Sequence, residues 1–170
     1  MRECVQMRIL GIDPGYAITG YGCVDYNGYK FTPVRVGAIT TKAHTDFSSR
    51  LLTIYNDLNE LITLLSPQEI AIERLYFTTN QKTAIDVAQA RGVVVLCATQ
   101  HGIPVYEYTP LQVKQSVVGY GKAEKKQVME MTKNILNLKE TAKPDDAADA
   151  LAIAICHGHS RSVCAYGDEK

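Results

Sequence analysis

The sequence predicts an α/β protein in which a mixed five-stranded sheet carries helices on its faces. Two observations point there. Short apolar runs bounded by turn residues alternate with longer runs whose apolar positions recur every three or four residues, in the order three strands, helix, strand, helix, strand, then helices. The first three strands also follow one another through short turns, as in an antiparallel meander. The later strands are separated by helices, and right-handed crossovers then let the first, fourth and fifth strands lie parallel. The 170-residue length suits one domain, placed at residues 7–160, with residues 1–6 and 161–170 read as short flexible ends.

The elements follow in order. "RILGID" (Arg8 to Asp13) is a short apolar strand ending in an acid, and "ITGYGCVDY" (Ile18 to Tyr26) is the second strand. Asn27-Gly28 signals a hairpin, returning through "YKFTPVRVGAIT" (Tyr29 to Thr40), where Pro33 marks an edge or an irregularity. Leu51, Leu52, Tyr55, Leu58, Ile62 and Leu65 then recur at helical spacing, with Asp46 as N-cap and Pro67 beyond the end. "EIAIER" (Glu69 to Arg74) is a fourth strand carrying an acid, followed by a helix from about Asn80 to Gln100 that Gly102 stops. "IPVYEY" (Ile103 to Tyr108) is the fifth strand. Helices near Pro110 to Val118 and Ala123 to Leu138 flank a "GYG" break, and a last helix runs from Asp145 to about His157.

Bulk properties exclude several classes. No apolar run is long enough to span a membrane, and "MRECVQMRIL" lacks the apolar segment of a signal peptide, so a cytoplasmic location is expected. The five cysteines are odd in number and show no CxxC spacing, which argues against a disulfide framework. The group Cys156, His157, His159 and Cys164 offers zinc ligands, although its spacing matches no common zinc pattern. Net charge is zero, yet Leu111 to Lys143 holds seven lysines against three glutamates. A basic segment beside an acidic remainder fits a polyanionic partner.

The chemistry resides in carboxylates. Asp13 and Glu73 end the first and fourth strands, where sites collect in open α/β sheets. Side chains alternate along a strand, so Gly11 shares the face of Asp13, and Ala71 that of Glu73. Each acid thus has a small residue two positions earlier, leaving room for something to approach. On the last helix, Asp149 lies about 60° from Asp146 and about 40° from Asp145, so geometry lets it pair with either. Capping accounts for one or two of these acids. It does not account for Asp149, about a turn inside and followed by "ALAIAI". Acids from two strands and a helix suit a pair of hard divalent ions, which together can activate water for in-line phosphoryl displacement.

Five segments together resemble the RuvC-type Holliday junction resolvases: "ILGIDPG" with "TGYG" (Ile9 to Gly15, Thr19 to Gly22), "IAIER" (Ile70 to Arg74), "QARGV" (Gln89 to Val93), "VKQSVVGYGKAEK" (Val113 to Lys125) and "DAADALAIAICH" (Asp146 to His157). The resemblance spans Ile9 to His157 and implies a ribonuclease H-like fold with helices on both faces of the sheet. It implies that Asp13, Glu73, Asp146 and Asp149 are the catalytic metal ligands, with Asp13 shared between two Mg2+ ions for which Mn2+ substitutes. It selects Asp146 over Asp145, and leaves Asp145 as an added acid, read as the helix cap. It places Lys114 and Lys125 near the scissile phosphate and strand backbone. Lys122 counts with them among the DNA-binding residues, and Tyr76 stands where the family often has a base-contacting phenylalanine. It further implies a homodimer that nicks opposing strands of four-way junction DNA symmetrically, at short thymine-containing sequences, beside a branch-migration motor complex.

Three other readings compete. One keeps the fold and changes the substrate: a related nuclease of this superfamily that cuts an RNA–DNA hybrid or another branched DNA. "GIDPGYAITGYG" also resembles the first phosphate loop of actin-like ATPases, which needs a second lobe that a chain of this length does not supply. A junction-binding protein without catalysis leaves the four acids unexplained.

Overall fold

The computed structural model describes residues 6–75 and 81–167, except for the side chains of 81–82 and 162–167. The elements are β1 (Met7–Asp13), β2 (Ile18–Tyr26), β3 (Phe31–Thr40), α1 (Phe47–Leu65), β4 (Glu69–Glu73), α2 (Gln81–Gln100), β5 (Val105–Tyr108), α3 (Pro110–Val118), α4 (Lys125–Ile135) and α5 (Asp145–Gly167). They build one five-stranded sheet in the order β3-β2-β1-β4-β5. β1, β2 and β3 pair antiparallel, while β4 pairs parallel with both β1 and β5. This is the expected mixed sheet. Among the described residues no helix is long and apolar enough to cross a membrane.

Strand alternation sorts the core into two layers. Leu10, Ile12, Ile70 and Ile72 pack with α1 and α2, through Ile54, Leu58, Ile62, Val94 and Cys97. Ile9, Val24 and Ala71 pack on the other face, against Leu151, Ile153 and Ile155 of α5 and against α3 and α4. Asp13 and Glu73 share the α5 face by parity, because they follow Gly11 and Ala71 by two positions.

α5 lies almost directly on the sheet. A Cβ at Gly11 would stand 2.0 Å from the Ala150 carbonyl oxygen, and one at Gly20 would stand 2.0 Å from that of Asp146. A Cβ at Gly22 would meet the Leu151 side chain at 2.7 Å. These three glycines let the helix backbone touch β1 and β2, and they deliver the first turn of α5 to the carboxyl ends of β1 and β4.

Several boundaries differ from expectation for physical reasons. The hairpin after Tyr26 is longer than two residues: Asn27 Oδ1 accepts from the backbone N–H groups of Tyr29 and Lys30 at 3.1 and 2.8 Å, so the side chain closes the turn. Pro33 lies on the edge strand, where the β2–β3 register shifts between Cys23 and Val24. β5 begins only at Val105, after Pro104, which has no N–H to give. α4 is shorter than expected: Glu124 is its extended N-cap, with its N–H donating to Gln127 Oε1 at 2.8 Å, and the left-handed Asn137 (φ 51°) lies just beyond its end.

The helix expected to stop near His157 continues to Gly167. Gly158 is a packing glycine: a Cβ there would stand 2.4 Å from Phe31 Cε1, against the stacked Tyr26–Phe31 pair. Asp145 is also not the cap. The Pro144 carbonyl accepts from Ala147 N at 2.9 Å, so Pro144 takes the cap position and Asp145 is the first helical residue.

Candidate active site

The site grows from the parallel pairing of β1 and β4. Gly11 is opposite Ala71 and Ile12 opposite Ile72, so Asp13 and Glu73 leave adjacent strands at the same edge and on the same face. α5 enters above them. Burial raises the Asp13 carboxyl to about 7, assisted by the negative charges of Glu73, Asp149 and Asp146, with Lys125 acting the other way. Burial also raises Glu73, and Asp149 adds to it. Asp149 is raised by burial too, against the pull of Lys125. The four acids predicted from sequence are therefore one electrostatic cluster.

The basic segment closes the site from the side. A cleft of about 270 Å³ is lined by Glu73 and Asp149, by Lys114 and Lys125, and by an apolar wall that includes Val113 and Ile153. Lys125 Nζ stands 3.0 Å from Asp149 Oδ2 and 3.5 Å from Asp145 Oδ2. The hydrogen bond to Asp149 holds its pKa above the usual lysine value. α3 places Lys114 through a Thr109 cap, with Thr109 Oγ1 accepting from Gln112 N at 3.1 Å and Gln112 Oε1 accepting from Thr109 N at 2.8 Å. Lys122 is exposed in the turn before α4 and does not line the cleft. Tyr76 lies outside the described residues.

The donor set suits a hard cation: only carboxylate oxygens, mutually repelling, with one ammonium drawn in. Among the described residues no three His, Cys, Asp or Glu side chains are already gathered at metal-ligand spacing. The acids are near enough to shift one another's protonation, and Lys125 is the cation beside them.

The two histidines of the group on α5 point to different partners. His157 Nδ1 bonds the Tyr108 hydroxyl at 2.7 Å and its Nε2 lies 2.5 Å from Glu69 Oε2. His159 turns instead to Ser116, at 3.1 Å, and to the Phe31 ring. Cys156 is buried, and the Cys164 side chain lies outside those described. Glu69 was missed by sequence reasoning, which read only one acid in "EIAIE". The available signal was parity, because Glu69 shares the face of Ala71 and Glu73.

The family model for crossover junction endodeoxyribonuclease RuvC matches residues 9–157. A protein of that description from Ruminiclostridium cellulolyticum is 59% identical over 157 residues, covering 92% of this chain and 95% of its own. One from Caldanaerobacter subterraneus is 55% identical over 157 residues, covering 92% and 95%. Among solved structures, the T. thermophilus RuvC in complex with a Holliday junction substrate superposes with a TM-score of 0.88 at 34% identity, covering 93% of this chain and 96% of that one. The yeast mitochondrial Holliday junction resolvase shares the fold at a TM-score of 0.65 and 17% identity, covering 95% and 86%.

Proposed function

Since the chain belongs to the RuvC family of crossover junction endodeoxyribonucleases, we propose that it resolves four-way DNA junctions by paired, symmetric nicks, with Asp13, Glu73, Asp146 and Asp149 holding two Mg2+ ions. The observation that carries this reading is the placing of Asp13 and Glu73 at one edge of paired strands, under the first turn of α5 that bears Asp146 and Asp149, beside a cleft lined by Glu73, Asp149, Lys114 and Lys125. Held by these four carboxylates, a pair of divalent ions would supply the Lewis acidity that phosphodiester hydrolysis needs, for the attacking water and for the leaving oxygen. Mn2+ shares the preference for carboxylate oxygen and substitutes.

The chain's own residues do the rest. The carboxylates bind the cations, and the partial burial of Asp13, Glu73 and Asp149 leaves them less solvated and avid for positive charge. Lys114 and Lys125 hold the phosphate backbone across the cleft as point charges. Lys122, exposed in the adjoining turn, extends that basic contact, and Tyr76 stacks on bases near the crossover.

Paired nicks require two copies of the chain. An exposed stripe on α2 supports a homodimer: Ile85, Gln89, Gly92 and Leu96 fall on one helical face, Ile85 and Leu96 are 57% and 55% exposed, and open space lies over Gly92. The family relationship supports a branch-migration motor as partner and the cytoplasm as location. Cleavage of a mobile four-way junction with magnesium, with calcium in its place and with no divalent ion tests the reading. Paired nicks only with magnesium are expected. Cutting without any divalent ion, or preferential cutting of an RNA–DNA hybrid, defeats it.

A further inference from the structure

Asp145 has no part in the four-acid set, yet it reaches the site. Lys125 is the first residue of α4, where the partial positive charge of a helix N-terminus disfavours an ammonium. It sits there because α5 offers two carboxylates one turn apart. One Nζ spans both, 3.0 Å from Asp149 Oδ2 and 3.5 Å from Asp145 Oδ2. Of these two acids, only Asp149 belongs to the metal set.

A divalent ion at Asp149 and an ammonium at the same oxygen repel one another. If Lys125 had no other partner, it would have to compete with the ion or withdraw to solvent, away from the cleft it lines. Asp145 removes that choice. It stands in the first turn of α5, where the helix dipole favours an anion, on the Lys125 side of Asp149. We propose that Asp145 is a positioning residue for Lys125: when Asp149 takes a divalent cation, the ammonium passes to Asp145 and stays at the cleft. This rests on the two-metal reading of the site. Asp145 therefore favours the metal-bound state, while the Lys125–Asp149 contact favours the metal-free one.

The test is calcium affinity of the full chain without DNA, by isothermal titration calorimetry, for the wild type, Asp145→Asn, Lys125→Met and the double variant. An exposed ion pair changes an equilibrium constant by up to about fivefold. Asp145→Asn is expected to weaken calcium binding by about three- to fivefold, on the same scale. Lys125→Met is expected to tighten it. In the Lys125→Met background the Asp145→Asn effect is expected to shrink below about twofold, the signature of a coupled pair. An equal factor in both backgrounds makes Asp145 a bare charge and overturns this inference alone, as does no effect in either. A wild type that takes up no calcium, or an Asp13→Asn variant that binds as well as wild type, overturns the two-metal reading and this inference together.

Discussion

The backbone of Gly11 touches that of Ala150: a Cβ at Gly11 would stand 2.0 Å from the Ala150 carbonyl oxygen and 2.9 Å from Ala154 N. Backbone atoms of a packed helix do not yield as a flexible side chain does. Gly11→Ala should therefore exceed the ordinary overpacking cost of about 1–3 kcal/mol, and urea unfolding midpoints will show it. Gly20→Ala acts at the Asp146 carbonyl, in the first turn of α5. It should lower cleavage by a larger factor, relative to its stability loss, than Gly11→Ala does.

Asp13 makes the metal-free protein sensitive to pH. Its carboxyl titrates at about 7 in the fold against an ordinary value of 3.8. The folded chain thus holds a proton that the unfolded chain has released, so this contribution to stability is present below about pH 4 and is lost as pH rises through about 7. Asp13→Asn removes the penalty. At about pH 8 without divalent ions, the variant should be more stable than wild type by on the order of 2–4 kcal/mol, with the gap closing toward about pH 4. Thermal melts across that range check the sign.

Divalent ions should reverse that penalty. Magnesium or calcium, bound by the ionised cluster, should raise the wild-type melting temperature more at about pH 8 than at about pH 5.5, where protons compete for Asp13. Asp13→Asn should lose most of the gain. A rise that is equal at both pH values, or equal in the variant, contradicts the placement of the ion at Asp13.

Much of the site was legible in sequence because its placement follows simple parities. Asp13 and Glu73 end strands, and the small residues two positions before them signalled that something approaches there, which the fold shows to be α5. Helix geometry alone leaves open which neighbour on α5 joins them, since Asp145 and Asp146 are both compatible with Asp149, and only the motif match selects Asp146. In the fold the Asp146 carbonyl stands over Gly20, while the Asp145 carboxylate reaches Lys125. The packing of α5 is tertiary: only the Phe31 ring against Gly158 shows why glycine is needed there.

The two neighbours should separate in cleavage assays. Asp146→Asn should abolish cleavage at any magnesium concentration while sparing junction binding, because it removes a proposed ligand. Asp145→Asn should shift the magnesium needed for half-maximal cleavage upward by about three- to fivefold, the scale of an exposed ion pair. Cleavage should recover at high magnesium. The reverse pattern assigns the ligand role to Asp145.

The far end of α5 sets the near end. Glu69 and Glu73 are four residues apart on β4, about 13 Å, and His157 and Asp149 are eight apart on α5, about 12 Å. A pin between Glu69 and His157 therefore places Asp149 beside Glu73. The pin is buried: His157 is fully enclosed, its Nε2 lies 2.5 Å from Glu69, and Arg161 reaches the second Glu69 oxygen at 3.0 Å. Burial lowers the His157 pKa despite Glu69 beside it. Glu69→Leu leaves the buried His157 ring without its acceptor and should cost about 1–3 kcal/mol, as an unsatisfied buried donor does. Arg161→Met loses only a half-exposed arm of the same network and should cost less than about 1 kcal/mol. If the pin sets the register of α5, His157→Gln should also weaken calcium binding in protein that remains folded, although His157 lies about 12 Å along the helix from Asp149. A variant that loses stability but binds calcium as wild type does would make the network a fastening and nothing more.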